Sequence, residues 1–304
     1  MRLHRLLLIV NPVARTVSKP TLAVIEKALS ADFHLEVVET KERGHANEIA
    51  SQAVFEEIDL VVVFSGDGTI NEVVNALAGT TTALGVLPGG ATNILVRALR
   101  LPTDPVEATG VLITKDLDDS STMLNLGRAD GRYFAVNCGA GVDAAAMERL
   151  DAKFPKTKSK YERAAFRSVA WSVLVAYAGK SPDLTVTVDG HEPVEALSVL
   201  MGRTDPYTYF KDRGMRMTPQ ASLEAGLDVL SIRKLNRRSV PRIAWQVFGS
   251  ARHVGGRDID YVHDASKVLI TAREPFPVQV DGDSMGERRR LEVELAREAL
   301  TVIA

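Results

Sequence analysis

The first third of the chain alternates short apolar runs with longer segments of helical spacing. The apolar runs predict four strands, at Leu6–Val10, Leu35–Glu39, Leu60–Phe64 and Ala83–Leu87. The segments between them predict three helices, at Pro20–Ser30, His45–Phe55 and Ile70–Ala78. Strands that alternate with helices in this way are typical of a parallel sheet covered by helices. We therefore expect a Rossmann-like α/β domain at the start of the chain.

The third predicted helix shows how this domain packs. Ile70, Val73, Val74 and Leu77 follow the spacing i, i+3, i+4 and i+7, which places them on one face of a helix. We expect this face to pack on the sheet.

The pattern changes after Leu101. Pro102 and Pro105 interrupt it, a short helical stretch runs to about Thr114, and an acidic linker follows. From Thr122 onward the chain shows strands separated by β-turn signals, which favours a largely antiparallel domain. The turn signals are Ala129–Gly131, Asp189–Gly190 and Asp281–Gly282. One long helical region, at about Ala144–Ala178, interrupts the strands.

We therefore predict two domains with a cleft between them. The first covers residues 1–121 and the second residues 122–286. Whether residues 287–304 pack back on the first domain stays open.

Composition narrows the classes of function. The net charge of −2 gives no general attraction to nucleic acid, so we expect no nucleic-acid partner. The longest apolar runs are far shorter than the roughly 20 residues that span a bilayer, and the start of the chain has no signal-peptide pattern. We expect the chain to stay in the cytoplasm. The single cysteine, Cys138, lies in an apolar run and predicts a buried thiol.

The segment Ser65-Gly-Asp-Gly-Thr69 follows a buried strand and opens a helix. Two glycines allow a ligand to approach the backbone, and a helix N-terminus directs N–H groups toward an anion. Asp67 lies between the glycines, where a carboxylate can hold a metal ion or take a proton. From its position alone we expect Asp67 to be an exposed turn residue with little role in packing. A plain strand-to-helix turn is the alternative interpretation.

Three further polar segments follow predicted strands. They are Asn11-Pro12, Thr40 with Gly44-His45-Ala46, and Pro88-Gly-Gly-Ala-Thr-Asn93. The carboxyl ends of parallel strands meet at one edge of the sheet, where open α/β sheets bind ligands. His45 has no partner at metal-ligand spacing, so we interpret it as a first-turn helix residue.

These segments, together with Ile70-Asn-Glu-Val-Val-Asn75, resemble the diacylglycerol kinase catalytic domain family, which includes sphingosine and ceramide kinases and is distantly related to NAD kinases. The resemblance continues in the second domain, in three segments. They are Asn137-Cys-Gly-Ala-Gly-Val-Asp143, Gly214-Met-Arg-Met-Thr-Pro219 with Gly226-Leu-Asp228, and Val278-Gln-Val-Asp281-Gly-Asp283.

The resemblance implies an ATP-dependent kinase that phosphorylates a hydroxyl group of a diacylglycerol-type or sphingoid-type lipid, with Mg²⁺ as metal. Asp67 would have the catalytic or metal role, and Asp283 would be the general base, at a position where the family usually has Glu. The residues implied to contact ATP are Asn11, Thr40, Gly66, Gly68, Thr69, Gly90 and Thr92.

The chain departs from the family pattern at several positions. Ile94 stands where the second loop usually has Asp, so one expected magnesium-associated carboxylate is missing. Arg203 stands where an Asn is usual, and Glu224-Ala225 replaces an acidic pair. The resemblance therefore leaves the presence of a second-domain ion site open.

Three alternatives remain at this stage. An NAD kinase-like enzyme also uses a Gly-Asp-Gly-Thr segment, and a nucleotide-binding regulatory protein without kinase activity would explain Ile94. The segment Gly139-Ala-Gly-Val-Asp-Ala144 fits a dinucleotide-binding pattern but lacks its acidic residue about 20 positions further on.

Two basic segments suggest contact with a membrane surface. Lys153–Ala178 combines lysines and arginines with bulky apolar residues, and Arg233–Arg242 leads to Trp245 and Phe248. Such segments suit anionic headgroups and the acyl boundary, although helices packed on the second domain would look the same. We expect a lipid substrate and peripheral membrane association. The oligomeric state stays open.

Overall fold

The computed structural model describes residues 4–115, 121–153, 172–210, 213–236, 238 and 240–304. The chain divides into two compact units. The first contains residues 1–126 and 296–304, and the second contains residues 127–295.

The first unit is a parallel sheet with helices between its strands. Its strands are β1 (Arg5–Val10), β2 (His34–Glu39), β3 (Leu60–Ser65) and β4 (Ala83–Pro88). Its helices are α1 (Lys19–Asp32), α2 (His45–Phe55), α3 (Asp67–Leu77), α4 (Ile94–Ala98) and α5 (Pro105–Ile113). The strands run in the order β2-β1-β3-β4, all parallel. At the end of the chain Val302 pairs in parallel with Leu84 of β4.

Burial explains this arrangement. Every residue of β3 and β4 is buried, as expected for central strands covered on both faces. The four apolar positions predicted on the third helix, Ile70, Val73, Val74 and Leu77, are all buried. The predicted strands and helices of this unit are confirmed, with ends that differ by at most a few residues.

The second unit is mainly antiparallel. Its strands are β5 (Ser121–Ala129, shared with the first unit), β6 (Arg132–Phe134), β7 (Asn137–Gly141), β8 (Leu184–Val188), β9 (Val194–Ala196), β10 (Ser198–Gly202), β11 (Thr208–Phe210), β12 (Arg213–Met215), β13 (Leu227–Ile232), β14 (Ile259–Ala265), β15 (Lys267–Val280) and β16 (Asp283–Ile303, whose end returns to the first unit). The main order is β14-β13-β10-β7-β15-β16. Its helices are α6 (Val142–Lys153), α7 (Val240–Val247) and a 3₁₀ helix at Arg252–Gly255.

The three predicted turns have the expected geometry. Asp130 and Gly131 have φ angles of 45° and 88°, Asp189 and Gly190 have 48° and 74°, and Asp281 and Gly282 have 48° and 85°. Positive φ at two successive residues is the mark of the type I′ turn, which fits the twist of a two-stranded hairpin. These Asp-Gly pairs therefore set the register of the strands that they join.

Three other predictions meet the structure here. Cys138 is fully buried, as predicted. The dinucleotide-binding alternative is excluded, because Gly139 and Gly141 belong to β7, whose neighbours β10 and β15 are both antiparallel to it. The predicted long helix is described only as α6 and as helical residues 172–177, so most of the basic segment Lys153–Ala178 lies outside the described residues. Within the described part of the chain, the helices are all too short or too polar to span a membrane.

Candidate functional site

Two glycine-rich loops meet at the carboxyl ends of β3 and β4. A Cβ atom added to Gly90 would lie 2.7 Å from the Cα atom of Gly66, and one added to Gly66 would lie 3.1 Å from the Cα atom of Gly90. Gly89 is as tightly placed, since a Cβ atom added there would lie 2.6 Å from the Cα atom of Ser65. Only glycine allows such close approach of two backbones. The loops therefore form one cradle of backbone groups, which we call the two-loop cradle (residues 65–69 and 88–93).

Asp67 joins the two loops. Its carboxylate accepts hydrogen bonds from the Thr92 hydroxyl at 2.8 Å and from the backbone N–H of Ile94 at 2.7 Å. The N–H of Leu95 adds a longer contact at 3.4 Å. Asp67 thus caps the start of α4 from another helix. The expectation of an exposed turn residue with little role in packing is wrong, because these donors hold the carboxylate partly buried between the loops.

The environment of Asp67 acts on its proton in two directions. Burial raises the pKa of the Asp67 carboxyl group, and the hydrogen bonds from Thr92 and from the α4 backbone oppose this rise. The net direction of the pKa is upward from its ordinary value. A carboxylate tuned in this way, within a cleft of backbone donors, has the features of a functional group.

Thr69 is held with its hydroxyl in a defined orientation. Its oxygen accepts hydrogen bonds from the Ser65 hydroxyl at 2.8 Å and from the Asn11 side-chain amide at 3.1 Å. With both lone pairs of the oxygen engaged, the hydroxyl proton remains available for an acceptor. Asn11 also accepts from the N–H of Val13, so its side chain is a positioning element behind Thr69.

The structure brings Thr40 to the same edge of the sheet. Its N–H donates to the carbonyl of Val10 at 2.8 Å, beside Asn11. Gly44 has a φ of 88° and precedes α2, a left-handed conformation that favours glycine. His45 is the first residue of α2, as predicted.

Two supporting residues could not be singled out from the sequence. Glu72 accepts from the N–H of Ala46 at 3.2 Å, which ties α3 to the start of α2. Thr16 donates from its N–H to Gly89 and from its hydroxyl to Pro88, at 3.0 and 3.1 Å. Glu72 lies within a segment already noted for its pattern, whereas nothing distinguishes Thr16 from other loop threonines.

The donor set of the cradle can be compared with the needs of a divalent metal ion. Among the described residues, no group of three or more His, Cys, Asp or Glu side chains is arranged to hold a metal ion. Asp67 supplies one carboxylate with lone pairs beyond those used by its donors. Mg²⁺ is usually held by one or two carboxylates together with substrate phosphates and water. The cradle therefore fits Mg²⁺ as an ion that accompanies a phosphate ligand.

Asp283 belongs to the second unit, where it begins β16. Its carboxylate is 2.9 Å from the Arg132 guanidinium, and both side chains are about one quarter exposed. The nearby Asp281 accepts hydrogen bonds from three successive backbone N–H groups, those of Ala135, Val136 and Asn137, at 2.9–3.0 Å. Asp281 therefore fixes the turn that carries Asp283.

The Asn137–Asp143 segment forms a buried polar network. The Asp143 carboxylate accepts from the Tyr207 hydroxyl at 2.7 Å and from the Gln279 side chain at 2.6 Å, and Gln279 also donates to Asn137 at 2.7 Å. Burial raises the pKa of Asp143, and the two donors oppose this rise. These residues hold α6 against β7 and β15.

Arg203 occupies the segment of the second unit where the ion site was left open. Its fully buried guanidinium donates to the carbonyl oxygens of Leu223, Ala225 and Gly226 at 2.5–2.6 Å. Burial lowers the pKa of Arg203 to about 10, opposed by Asp228 and Asp264, so the side chain is cationic at neutral pH. These three carbonyl oxygens do not fit a metal ion, because they already accept hydrogen bonds from the guanidinium.

The chain was compared with known families. The diacylglycerol kinase catalytic domain matches residues 5–124, and the YegS C-terminal NAD kinase beta sandwich-like domain matches residues 136–304. The chain belongs to the family with a YegS C-terminal domain, which follows a match to the diacylglycerol kinase catalytic domain here. The predicted family and the predicted fold class, a parallel α/β unit followed by an antiparallel unit, are thereby confirmed.

The sequences of individual relatives align with most of this chain. A diacylglycerol kinase of Bacillus subtilis (strain 168) is 27% identical over 291 residues, covering 93% of this chain and 91% of the relative. One of Staphylococcus carnosus (strain TM300) is 28% identical over 270 residues, covering 87% and 83%. The crystal structure of a candidate diacylglycerol kinase from Bacillus anthracis str. Sterne has a TM-score of 0.76 at 24% identity, covering 100% and 98%, and shows the same fold.

Proposed function

We propose that this protein transfers the terminal phosphoryl group of ATP to a hydroxyl group of a diacylglycerol-type or sphingoid-type lipid. The observation that carries the proposal is the two-loop cradle, in which Gly66 and Gly90 approach within contact distance and Asp67 bridges the loops. The names of the relatives support the acceptor class, since they are called diacylglycerol kinases.

In this proposal the cradle binds the phosphates of ATP. The first N–H groups of α3, at Asp67, Gly68 and Thr69, have no carbonyl partner within the helix, and the helix dipole favours an anion at this end. The Thr69 hydroxyl donates a hydrogen bond to a phosphate oxygen. Gly90 and Thr92 contact ATP from the second loop. Asn11 holds Thr69 in place, and Thr40 lies at the edge of the sheet beside Asn11.

Asp67 would hold Mg²⁺ together with the phosphates of the bound nucleotide. When bound, the ion would neutralise negative charge on the phosphate oxygens during phosphoryl transfer. Phosphoryl transfer depends mainly on positioning and electrostatic stabilisation, so a cradle of backbone donors with one carboxylate is sufficient protein chemistry. Ile94 contributes its N–H to Asp67 and no carboxylate of its own.

Asp283 is the proposed general base that takes the proton of the lipid hydroxyl. Its carboxylate is oriented by Arg132 and carried by the turn that Asp281 fixes. Aspartate is shorter than the glutamate usual in the family but has the same basic group. We assign nucleotide binding to residues 1–121 and lipid binding to residues 122–286, with peripheral association at a membrane surface.

A lipid-panel assay tests the proposal. The protein is incubated with γ-labelled ATP and Mg²⁺ and with diacylglycerol, sphingoid base, ceramide or phosphatidylglycerol in mixed micelles. Labelled diacylglycerol, sphingoid base or ceramide supports the proposal, and label in phosphatidylglycerol alone would contradict the acceptor class. ATP binding without any labelled lipid would favour a regulatory protein, for which Ile94 is the motivating residue.

Nucleotide identity is tested separately by melting temperature. ATP with Mg²⁺ should raise the melting temperature because it binds the folded state, whereas NAD should leave it unchanged. A rise in melting temperature with NAD, together with formation of NADP from NAD and ATP, would instead favour the NAD kinase-like alternative. The second matched domain carries an NAD kinase-like name, which is why this control is needed.

A further inference from the structure

The segment 233–257 has an unusual charge. It contains seven lysines and arginines and no aspartate or glutamate, whereas the chain as a whole has a net charge of −2. Six of the seven are described and exposed, and they form no ion pair with any residue that the structure describes. They are Arg233, Lys234, Arg238, Arg242, Arg252 and Arg257. A concentration of such cations on an acidic protein attracts partners of negative charge.

Helix α7 gives this segment two faces. Val240 and Val247 are buried, and Ile243 packs on the same core, so this face anchors the helix to the second unit. Trp245 is 73% exposed and Phe248 is 39% exposed. Phe248 follows Trp245 by three positions, just after the end of α7, and Arg242 precedes Trp245 by three positions within the helix. The 3₁₀ helix that begins at Arg252 contacts α7. We call the six exposed cations with Trp245 and Phe248 the basic patch.

We propose that the basic patch is the surface by which this protein docks on an anionic lipid bilayer. Tryptophan has an apolar body and a polar N–H, so it favours the boundary between headgroups and acyl chains. Arginine and lysine are attracted to anionic headgroups by about 1 kcal/mol each, which corresponds to about fivefold in binding per charge. The surface thus offers both contributions that a peripheral protein needs. The inference rests on the proposed lipid kinase function, because it names the surface from which that substrate would be taken.

Single-stranded nucleic acid is the competing partner for exposed cations beside aromatic rings. Proteins that bind it generally track the strand along a groove with successive stacking positions. The basic patch offers two aromatic side chains, one on α7 and one in the turn that follows it, which suits insertion at an interface better than tracking a strand. Binding of an RNA oligonucleotide is therefore measured beside binding of vesicles.

The first experiment follows Trp245 directly. The chain has two tryptophans, so a Trp171→Phe variant leaves Trp245 as the only reporter. Vesicles of phosphatidylglycerol and phosphatidylcholine should shift its fluorescence to the blue and allow quenching by brominated acyl chains. Pure phosphatidylcholine should do neither, and 1 M salt, where the screening length is about 3 Å, should reverse the shift. An unchanged spectrum with anionic vesicles would overturn the proposal.

The second experiment compares variants in vesicle cosedimentation. Arg238→Glu with Arg242→Glu should weaken binding by at least about 25-fold, on the scale of fivefold for each charge removed. Trp245→Ala should weaken it by about tenfold through loss of buried apolar area. The controls are Lys27→Glu with Arg273→Glu, which make the same change of charge elsewhere, and Phe55→Ala, which removes another exposed aromatic side chain. Equal losses in the controls, or tighter binding of the RNA than of vesicles, would overturn the proposal.

A kinetic comparison separates this proposal from the proposed function. On a short-chain lipid dispersed as monomers, the patch variants should keep the parental rate, and on vesicles they should lose it in step with binding. Unaltered rates on vesicles in both patch variants would overturn the docking surface and leave the kinase function standing. Vesicle binding through the patch, with no lipid phosphorylated in any form, would support the surface and sink the kinase function.

Discussion

The Thr92 hydroxyl donates a hydrogen bond of 2.8 Å to the carboxylate of Asp67. These residues lie in different glycine-rich loops, so one side-chain contact couples the end of β3 to the end of β4. The same carboxylate caps α4 through the N–H of Ile94. A residue placed to meet phosphate and metal is therefore also a structural bridge, and its substitutions have to be tested for both roles.

Replacing Asp67 with Asn separates the two roles. The Asn side-chain oxygen can still accept from Ile94, so we expect a loss of only about 0.5–1 kcal/mol in unfolding free energy. Removal of the charge should slow lipid phosphorylation by at least about 100-fold. Denaturant unfolding and the labelled-lipid assay measure the two effects.

The matched control is Asp104→Asn. Asp104 caps α5 by accepting from the N–H groups of Val106 and Glu107, and it is not part of the cradle. This variant should lose a similar amount of stability and keep its rate. If Asp67→Asn retains more than roughly a tenth of the parental rate, the cradle is only a turn.

The sequence predicted the first unit well because its signals are local. The buried strands and the apolar stripe of α3 follow from periodicity, and the Asp-Gly turns follow from their need for positive φ. The polar segments that follow the strands could be located at one edge of the sheet, because the carboxyl ends of parallel strands meet there. The role of each of these polar residues depends on contacts between residues that are distant in the chain.

Asp67 illustrates this limit, since its donors lie 25 to 28 positions further on and cannot be read from spacing. Arg203 illustrates it again. The sequence showed that Arg203 departs from the family pattern and left the ion site open. Only the converging carbonyl oxygens of the 223–226 turn explain how a buried arginine is accommodated.

Asp283 provides a test of the proposed general base. Asp283→Asn should slow turnover by about 10² to 10⁴-fold while ATP with Mg²⁺ still raises the melting temperature as in the parent. The control is Asp130→Asn, which alters another turn aspartate that pairs with an arginine, Arg288 at 3.3 Å. Equal turnover in Asp283→Asn and Asp130→Asn would remove Asp283 from the mechanism.

We expect the cationic Arg203 side chain to stabilise the second unit without a metal ion. Arg203→Met leaves three buried carbonyl oxygens without their donor and should cost about 3–5 kcal/mol of unfolding free energy. Arg216→Met, at a more exposed pair with Asp205, should cost about 1 kcal/mol or less. Chelation with EDTA should leave the melting temperature of the nucleotide-free parent unchanged. A fall in that temperature on chelation would show that a metal contributes after all.

Asp143 should make stability depend on pH in a defined direction. Its pKa is raised above its ordinary value of 3.8, so the folded state binds the proton more tightly than the unfolded state. Stability from this group is therefore greatest below that ordinary pKa and falls as the pH rises through the folded-state pKa.

Urea unfolding of the parent and of Asp143→Asn between about pH 4 and pH 8 measures this dependence. The parent's advantage over the variant should shrink as the pH rises. Tyr207→Phe removes a donor that lowers this pKa, so it should move the loss to higher pH. An advantage that grows with pH would contradict the assignment.

Gly68 allows the most direct test of the two-loop cradle. A Cβ atom at this position meets nothing within 4 Å in the protein. In our proposal the phosphates of ATP occupy this open space at the start of α3. Alanine in a helix is more stable than glycine by about 0.5–1 kcal/mol, so Gly68→Ala should fold at least as well as the parent. Gly110→Ala in α5 makes the same change with the same open space and serves as the control.

Calorimetric titration of these two variants with ATP and Mg²⁺ is the deciding measurement. Our account predicts at least about tenfold weaker binding in Gly68→Ala, or about 1.4 kcal/mol, and parental binding in Gly110→Ala. Parental ATP affinity in a well-folded Gly68→Ala would contradict the proposal that the cradle binds the phosphates.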